Sequence, residues 1–192
     1  MGKLSGIPAW KFAAIAGFLL ALQAMVLHLM GQPLLAAIGF RLWANDPLGP
    51  DNSQQLADWY SLSHIVHGLI FYGLTKLIAP RLPFAARLLL SLGVEVCWEL
   101  AENTQFVIEA YRRQALAAGY RGDSIVNSLS DSVMMLTGFT LASRLPWRVS
   151  VMLAIVLEGV AIAVIRDGLV LNLINFAVSW PALELWQAGY RH

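Results

Sequence analysis

The chain is a succession of apolar runs, each near the length of a bilayer-crossing helix, separated by short polar turns and one long loop. Phe12 to Met30 is apolar almost throughout. A helix rising 1.5 Å per residue needs roughly 20 such residues to cross a hydrocarbon core. Further runs extend over Ser61–Ile78, Phe84–Ile108, Asp123–Ser143 and Val149–Ile165. A last segment, Leu169–Val178, is short and Pro181 interrupts it on the way to about Trp186, so it can span, re-enter or lie in the interface. The pattern predicts an all-α fold: a polytopic transmembrane helix bundle of five to six spans, with residues 1–192 as a single integral membrane domain. The basic head before Phe12 leads into a run too long for a signal-peptide core, and no small-x-small site ends it, so an uncleaved first helix is expected.

Between the first two runs lies an outer loop, 32–60. It holds Trp43-Ala44-Asn45-Asp46-Pro47-Leu48-Gly49-Pro50-Asp51-Asn52-Ser53, a cluster of turn-forming residues. With the N-terminus cytoplasmic, Lys3, Lys11, Lys76, Arg81, Arg87, Arg144, Arg148 and Arg191 fall inside, and Arg41, Arg112, Arg113, Arg121 and Arg166 outside. That bias favours the N-inside orientation. Trp43, Trp59, Trp147, Trp180 and Trp186 lie near span ends, where indole rings anchor to the interface.

Composition supports the membrane assignment. Of 192 residues, 58% are hydrophobic and only 13% charged, against about a quarter charged in ordinary soluble domains. A net charge of +1 gives no reason to expect nucleic acid. The single cysteine, Cys97, excludes an internal disulfide and a Cys-rich zinc module; set among apolar residues, it reads as inert packing. There is no Gly-rich phosphate loop, no Gly-x-Ser-x-Gly elbow and no His-Glu-x-x-His.

Against this background the polar residues inside the apolar runs carry the information, because ionisable groups in a bilayer are costly and usually functional. Asp123, Asn127 and Asp131 recur at helical spacing and form one stripe, Asp131 lying about 12 Å below Asp123. Asp123 follows Gly122 at a helix start and is either an N-cap or a site residue. Asn127 can bond a neighbouring helix, whereas Asp131 needs a partner or a water-filled cavity. Ser124, Ser128 and Ser132 form an adjoining small-residue stripe suited to close helix packing. His64 and His67 share a face near the outer end of their helix, and Glu95, Glu99 and Glu102 share a face of the next. His28, Glu158, Asn172 and Asn175 fall in the same outer half.

Imidazoles and carboxylates converging at one depth from several helices suit a divalent metal such as Zn, Mn or Fe. The candidate ligands are His64, His67, Glu99, Glu102, Asp123, Asn127 and Asp131, with Glu102 or Asp131 as the general base on a metal-bound water. The Glu-x-x-His motif of bundle di-metal proteins is absent. The same groups also suit a proton or ion relay, or a network that only holds the bundle together.

Several blocks resemble a known family. They are Asp51 to Tyr60, Ser63-His64-Ile65-Val66-His67-Gly68, Trp98-Glu99-Leu100-Ala101-Glu102-Asn103, Tyr120 to Asp131, Ile165-Arg166-Asp167 and Trp186-Gln187-Ala188-Gly189. Together they resemble, over nearly the whole chain, a bacterial inner-membrane family known as an uncharacterised protein family with a domain of unknown function. The resemblance implies an integral, multi-pass inner-membrane protein and assigns no activity. Family members carry cysteines just before the position matching Gly39, where this chain has Ala36, Ala37 and Ile38, and Ser-Pro-Phe where it has Thr104-Gln105-Phe106. The first departure argues against a cysteine-dependent metal or redox role. A looser similarity to VanZ-like membrane proteins rests on Glu102, Gln105, a downstream Arg, Asp123, Asn127 and Gly138. It implies an envelope or lipid-linked context.

The expectation is therefore an inner-membrane protein, partnered by the lipid bilayer, with an outer-leaflet polar site acting on a lipid or envelope small molecule. Its alternatives are an ion- or proton-coupled carrier, which lacks support from repeat symmetry or broken helices, and a non-catalytic assembly protein. The residues leave open whether the protein is an enzyme.

Overall fold

The computed structural model describes residues 6–37, 39–114, 116–117, 119–178 and 180–191; Lys3 in the basic head and Ile38 before Gly39 lie outside them. Among the described residues the chain is all helical: α1 (Ala9–Leu29), α2 (Ser61–Ile78), α3 (Phe84–Glu102), α4 (Gln105–Arg112), α5 (Ile125–Arg144), α6 (Trp147–Ile165), α7 (Leu169–Ala177) and α8 (Pro181–Ala188), then a 3-10 turn, Gly189–Arg191. Two of these helices, α1 and α6, are long and apolar enough to cross a membrane.

One segment expected to be continuous is broken, and the last is interrupted at Pro181 as its sequence suggests. The run from Phe84 to Ile108 divides at Asn103, because Thr104 takes an extended conformation and its side chain accepts from the Val107 amide, starting α4 afresh. The last segment divides between Ala177 and Pro181, and Pro181 opens α8 at a first-turn position, where its missing N–H costs nothing.

The centre of the bundle is the pairing of α2 with α5. Their contacts advance in step: Ser61 meets Asp131, and the backbone at Ile65 and Gly68 meets Gly138 and Met135. The two helices therefore run parallel. A Cβ on Gly68 would overlap the Met135 carbonyl and the Phe139 amide, and one on Gly138 would overlap the Ile65 carbonyl. Close backbone approach through small residues is a common way for helices to associate in lipid.

Beyond this crossing, Leu88, Leu92 and Val96 of α3 pack on Met135 and Phe139 of α5. Tyr72 and Phe84 present ring edges to Phe139 at centroid distances of 5.2 and 5.6 Å. Helix α1 lies against α3 and α5, burying Gln23 and Leu27; α6 lies against α2, burying Ala161 and Ile165.

Polar side chains are buried beside the apolar core, and many large apolar ones are exposed. His64, Glu95, Glu99, Asn103, Asn127, Ser128, Asp131 and Ser132 are buried, whereas Leu77, Ile78, Leu90, Val94, Val133, Trp147 and Ile155 are exposed. An exposed apolar surface of this kind suits a partner or a membrane. Cys97 belongs to it: it is exposed on α3 and not packed inside as its apolar neighbours suggested.

The outer loop is a folded strap over the start of α5. The first amides of a helix have no partner within it. Here the Ser124 amide donates to the Ser53 carbonyl at 2.8 Å and the Ile125 amide to that of Pro33 at 2.9 Å. Gln54 Nε2 donates to the Gly122 carbonyl at 2.7 Å. Gly122 has φ +89°, and a Cβ there would overlap Gln32 and press on Asn103 Oδ1; both conditions select glycine.

The α2–α5 crossing makes a direct prediction. Gly68→Ala and Gly138→Ala should each lower stability by roughly 1–3 kcal/mol, the usual range for overpacking. Gly73→Ala, where a Cβ meets nothing within 4 Å, should be neutral or slightly stabilising. Thermal unfolding of the three variants in detergent checks this.

Candidate functional site

One helical turn from the Gly68 contact, α2 presents His64 and His67 to the carboxylates of α3 and α5. His64 Nδ1 lies 2.6 Å from Glu95 Oε1 and 3.2 Å from Glu99 Oε1. His67 Nδ1 lies 3.1 Å from Glu95 Oε2. Carboxylates only accept, so each Nδ1 carries the proton, and in a neutral ring Nε2 holds the lone pair. His64 Nε2 is 3.9 Å from Asp131 Oδ2. That separation is too long for a hydrogen bond, but two ligands of one ion can stand at such a distance.

Most of the surrounding oxygens are held. Ser61 Oγ donates to Asp131 Oδ1 at 2.7 Å, and Ser128 Oγ donates to Glu99 Oε2 at 2.6 Å. Gln23 on α1 donates to Ser128 Oγ at 2.8 Å and accepts from Ser132 Oγ at 2.9 Å. Glu99 Oε1 is buried without a hydrogen-bond partner, which leaves a desolvated acceptor beside His64. Such an atom in a polar cluster calls for an explanation.

His64, Glu102, Asp123 and Asp131 line an inner cavity of about 40 Å³ together with Tyr60 and Tyr120. That volume holds an ion and a water or two, since a single water needs about 10–15 Å³. Two donor sets come within 4.8 Å of mutual reach: His64, His67 and Glu95, and His64, Glu99 and Glu102. A wider cleft of about 300 Å³ adjoins, sharing Tyr60, His64, Glu102, Tyr111 and Asn172 with the inner cavity.

The expected ligands do not all have equivalent positions. His64, Glu102, Asp123 and Asp131 meet around the inner cavity, Glu99 lies behind His64, and His67 faces the outer cleft. Asn127 is committed elsewhere: its Nδ2 donates to the Gln55 carbonyl at 2.9 Å, tying α5 to the strap. Asp123 is not the N-cap of α5. Ser124 has that role, its Oγ accepting from the Asn127 amide at 3.1 Å. Asp123 instead accepts from Asn103 Nδ2 at 2.6 Å and from the Tyr120 hydroxyl at 3.1 Å.

Ser128 and Ser132, read from their spacing as packing residues, are polar links between α5, α3 and α1. Of the other outer-half residues, Asn172 reaches the cavities, while Asn175 donates to Gln187 Oε1 and His28 is exposed. Glu158 accepts from the Leu169 and Val170 amides and so caps α7.

Sequence reasoning missed Glu95 as the bridge between the two histidines, although its spacing with Glu99 carried the signal. Gln23 is a single polar residue in an apolar run, with no periodicity to mark it. Tyr60, Tyr111 and Tyr120 came from loops and a short helix, where no periodicity identifies a cavity lining.

On the α7 side, the Tyr60 hydroxyl donates to Asp167 Oδ2 at 2.9 Å, and Gln187 Nε2 donates to the Arg166 carbonyl at 3.0 Å. Tyr111 meets Phe176 edge-on at 4.8 Å. These contacts clasp α7 and α8 to the site.

Residues 27–189 match a family model described as "Protein of unknown function (DUF2585)". A UPF0314 protein from Brucella anthropi is 43% identical over 178 residues, covering 92% of this chain and 90% of its own. A UPF0314 protein from Rhizobium meliloti is 43% identical over 181 residues, with 94% and 91% covered. Another from Sphingopyxis alaskensis is 42% identical over 176 residues, with 91% and 94% covered. No solved structure matches.

The clasp predicts a pH dependence. Burial pushes the Asp167 carboxyl up to about 6 from 3.8, although the Gly168 amide and the Tyr60 hydroxyl pull it down. A raised folded-state value means that the folded form holds more protons, so this contribution is complete below pH 3.8 and is lost as pH rises through about 6. Hydrogen exchange of α7 and α8, corrected for intrinsic rates, should show stronger protection at pH 5 than at pH 7. Asp167→Asn should flatten that difference.

Proposed function

The chain belongs to the UPF0314 family, and we propose that it is a multi-pass inner-membrane protein binding a divalent cation at His64, with Glu99 and Glu102 within ligand reach and Asp131 facing the ring's Nε2. The observation that carries the reading is the orientation of His64. Its Nδ1 is held by a buried carboxylate and its Nε2 faces Asp131 across 3.9 Å. Metal-binding histidines typically donate their other ring N–H to a carboxylate, which fixes the tautomer. Glu95 fills that supporting position for both imidazoles, and Glu99 neutralises the cluster from behind.

The apolar exterior supports five to six spans, with α2, α3 and α5 crossing beside α1 and α6. The lysines and arginines of the Lys76–Arg87 and Arg144–Arg148 turns support a cytoplasmic N-terminus. The site then lies in the outer leaflet. Nitrogen and carboxylate donors suit Zn, Mn or Fe. A cation of this kind polarises a bound water, for which Glu102 or Asp131 is the base, acting on an envelope or lipid-linked substrate.

Metal analysis of the purified protein tests the reading. Wild type, loaded with Zn, Mn or Fe and desalted, should retain about one ion per chain. His64→Ala and Asp131→Ala should retain none while keeping their helical circular dichroism. Glu95→Gln should weaken retention about 10- to 100-fold, as loss of an orienting partner does. Wild type without stoichiometric metal would sink the proposal.

A second reading, a proton or ion carrier, draws on the row of polar groups from Asp131 past His64 and Glu99 to Ser128 and Gln23, of which Glu99, Ser128 and Gln23 are joined by hydrogen bonds. It predicts pH-driven uptake in proteoliposomes that Asp131→Asn abolishes.

A further inference from the structure

The outer cleft has a composition that the inner cavity does not share. Its walls are Ile70 and Phe71 of α2, Val94 and Trp98 of α3, and Leu173 and Phe176 of α7. Its floor is polar, made of the five residues it shares with the inner cavity. At the rim Ile70, Val94 and Leu173 are 42%, 49% and 55% exposed, so the cleft opens sideways through apolar side chains. Lipid chains in a bilayer reach such an opening without entering water. A volume of about 300 Å³ is at the lower end for ligand pockets. A pocket of that size favours one acyl chain over two.

The floor also restricts the headgroup. No Lys or Arg lines either cavity among the described residues. The polar groups available are imidazole, carboxyl, phenol and amide. A phosphate would face Glu102, Asp123 and Asp131 with none of the guanidinium or ammonium donors that recognise phosphates. Even a bound divalent cation would not outweigh those carboxylates together with Glu95 and Glu99. An uncharged ester, amide or hydroxyl group has suitable partners in the Tyr60 and Tyr111 hydroxyls, the Asn172 amide and the His64 ring. The inner cavity, at about 40 Å³, is too small for a headgroup, so the reacting group would stand at the shared floor and meet the small cavity from outside.

We propose that the cleft between α2, α3 and α7 takes a single-chain lipid with an uncharged, hydrogen-bonding headgroup seated at Tyr60, His64 and Glu102. As a substrate assignment this rests on the metal-site reading above; as a binding site it does not, and the test separates the two.

Trp98 in the cleft wall is the reporter. The full-length protein in phosphatidylcholine nanodiscs is titrated with a monoglyceride carrying a bromine at the chain end, and in parallel with the matching bromoalkyl phosphate. The Trp98 signal is the difference between wild type and Trp98→Phe. The monoglyceride should quench that signal saturably, and the phosphate about tenfold less well, because like charges brought together oppose binding. Val94→Phe and Leu173→Phe, which fill the cleft from opposite walls, should each weaken the monoglyceride about tenfold. Circular dichroism identifies a misfolded variant, and the other then carries the test. Non-saturable quenching, equal response to the phosphate, or indifference to both filled variants would overturn the proposal. Chelator-treated protein is titrated alongside. Saturable quenching without stoichiometric metal leaves the cleft standing and removes the metal reading, whereas metal retention without saturable quenching does the reverse.

Discussion

The backbone contact of α2 and α5 at Gly68 and Gly138 is the constraint on which the arrangement depends. It brings two helices close enough that Ser61 bonds Asp131 and that His64 Nε2 faces the same carboxylate across 3.9 Å. A methyl group at either glycine would force the helices apart and lengthen both of those contacts. Because the helices run parallel, polar groups near their starts meet at one end of the bundle, and the strap from Gln32 to Tyr60 closes over that end. The strap is held where helix amides would otherwise lack partners, so the element that covers the site is fixed by the same unsatisfied groups it relieves.

Many polar residues of the helices are turned to the interior, and polar groups there must find one another. Most do: Gln23 is bound from both sides, Asp123 by Asn103 and Tyr120, and Asn127 by the strap. Glu99 Oε1 does not. Six carboxylates (Asp58, Glu95, Glu99, Asp123, Asp131 and Asp167) are buried in this half of the molecule. A network that buries this many carboxyl groups is expensive as scaffolding alone, and the proposed handling of a cation or protons gives that cost a purpose.

Helix boundaries could be read where a local signal marks them. The Ser61–Ile78 helix follows from an apolar run between a polar loop and Pro80. The break at Asn103 was harder, since local cap chemistry there competes with a long apolar pattern. For Asp123, residue type permitted capping, but Ser124 stands one position nearer and its hydroxyl reaches the Asn127 amide. Adjacent residues of similar capping ability are separated only by backbone geometry.

Sequence alone determined that polar stripes on three helices lie at one end of a helical bundle, because helical period and apolar run length are local properties of the chain. It singled out His64, His67, Glu99, Glu102, Asp123 and Asp131 on that basis. Only the tertiary structure decided which of them meet. It turned Asn127 toward the strap, placed Glu95 between both imidazoles and brought Gln23 into the network from a helix more than 100 residues away. The physical reason is that spacing defines a face but not its azimuth. Which face meets which is set by the closest backbone approach, here at two glycines that offer no side chain to hold the helices apart.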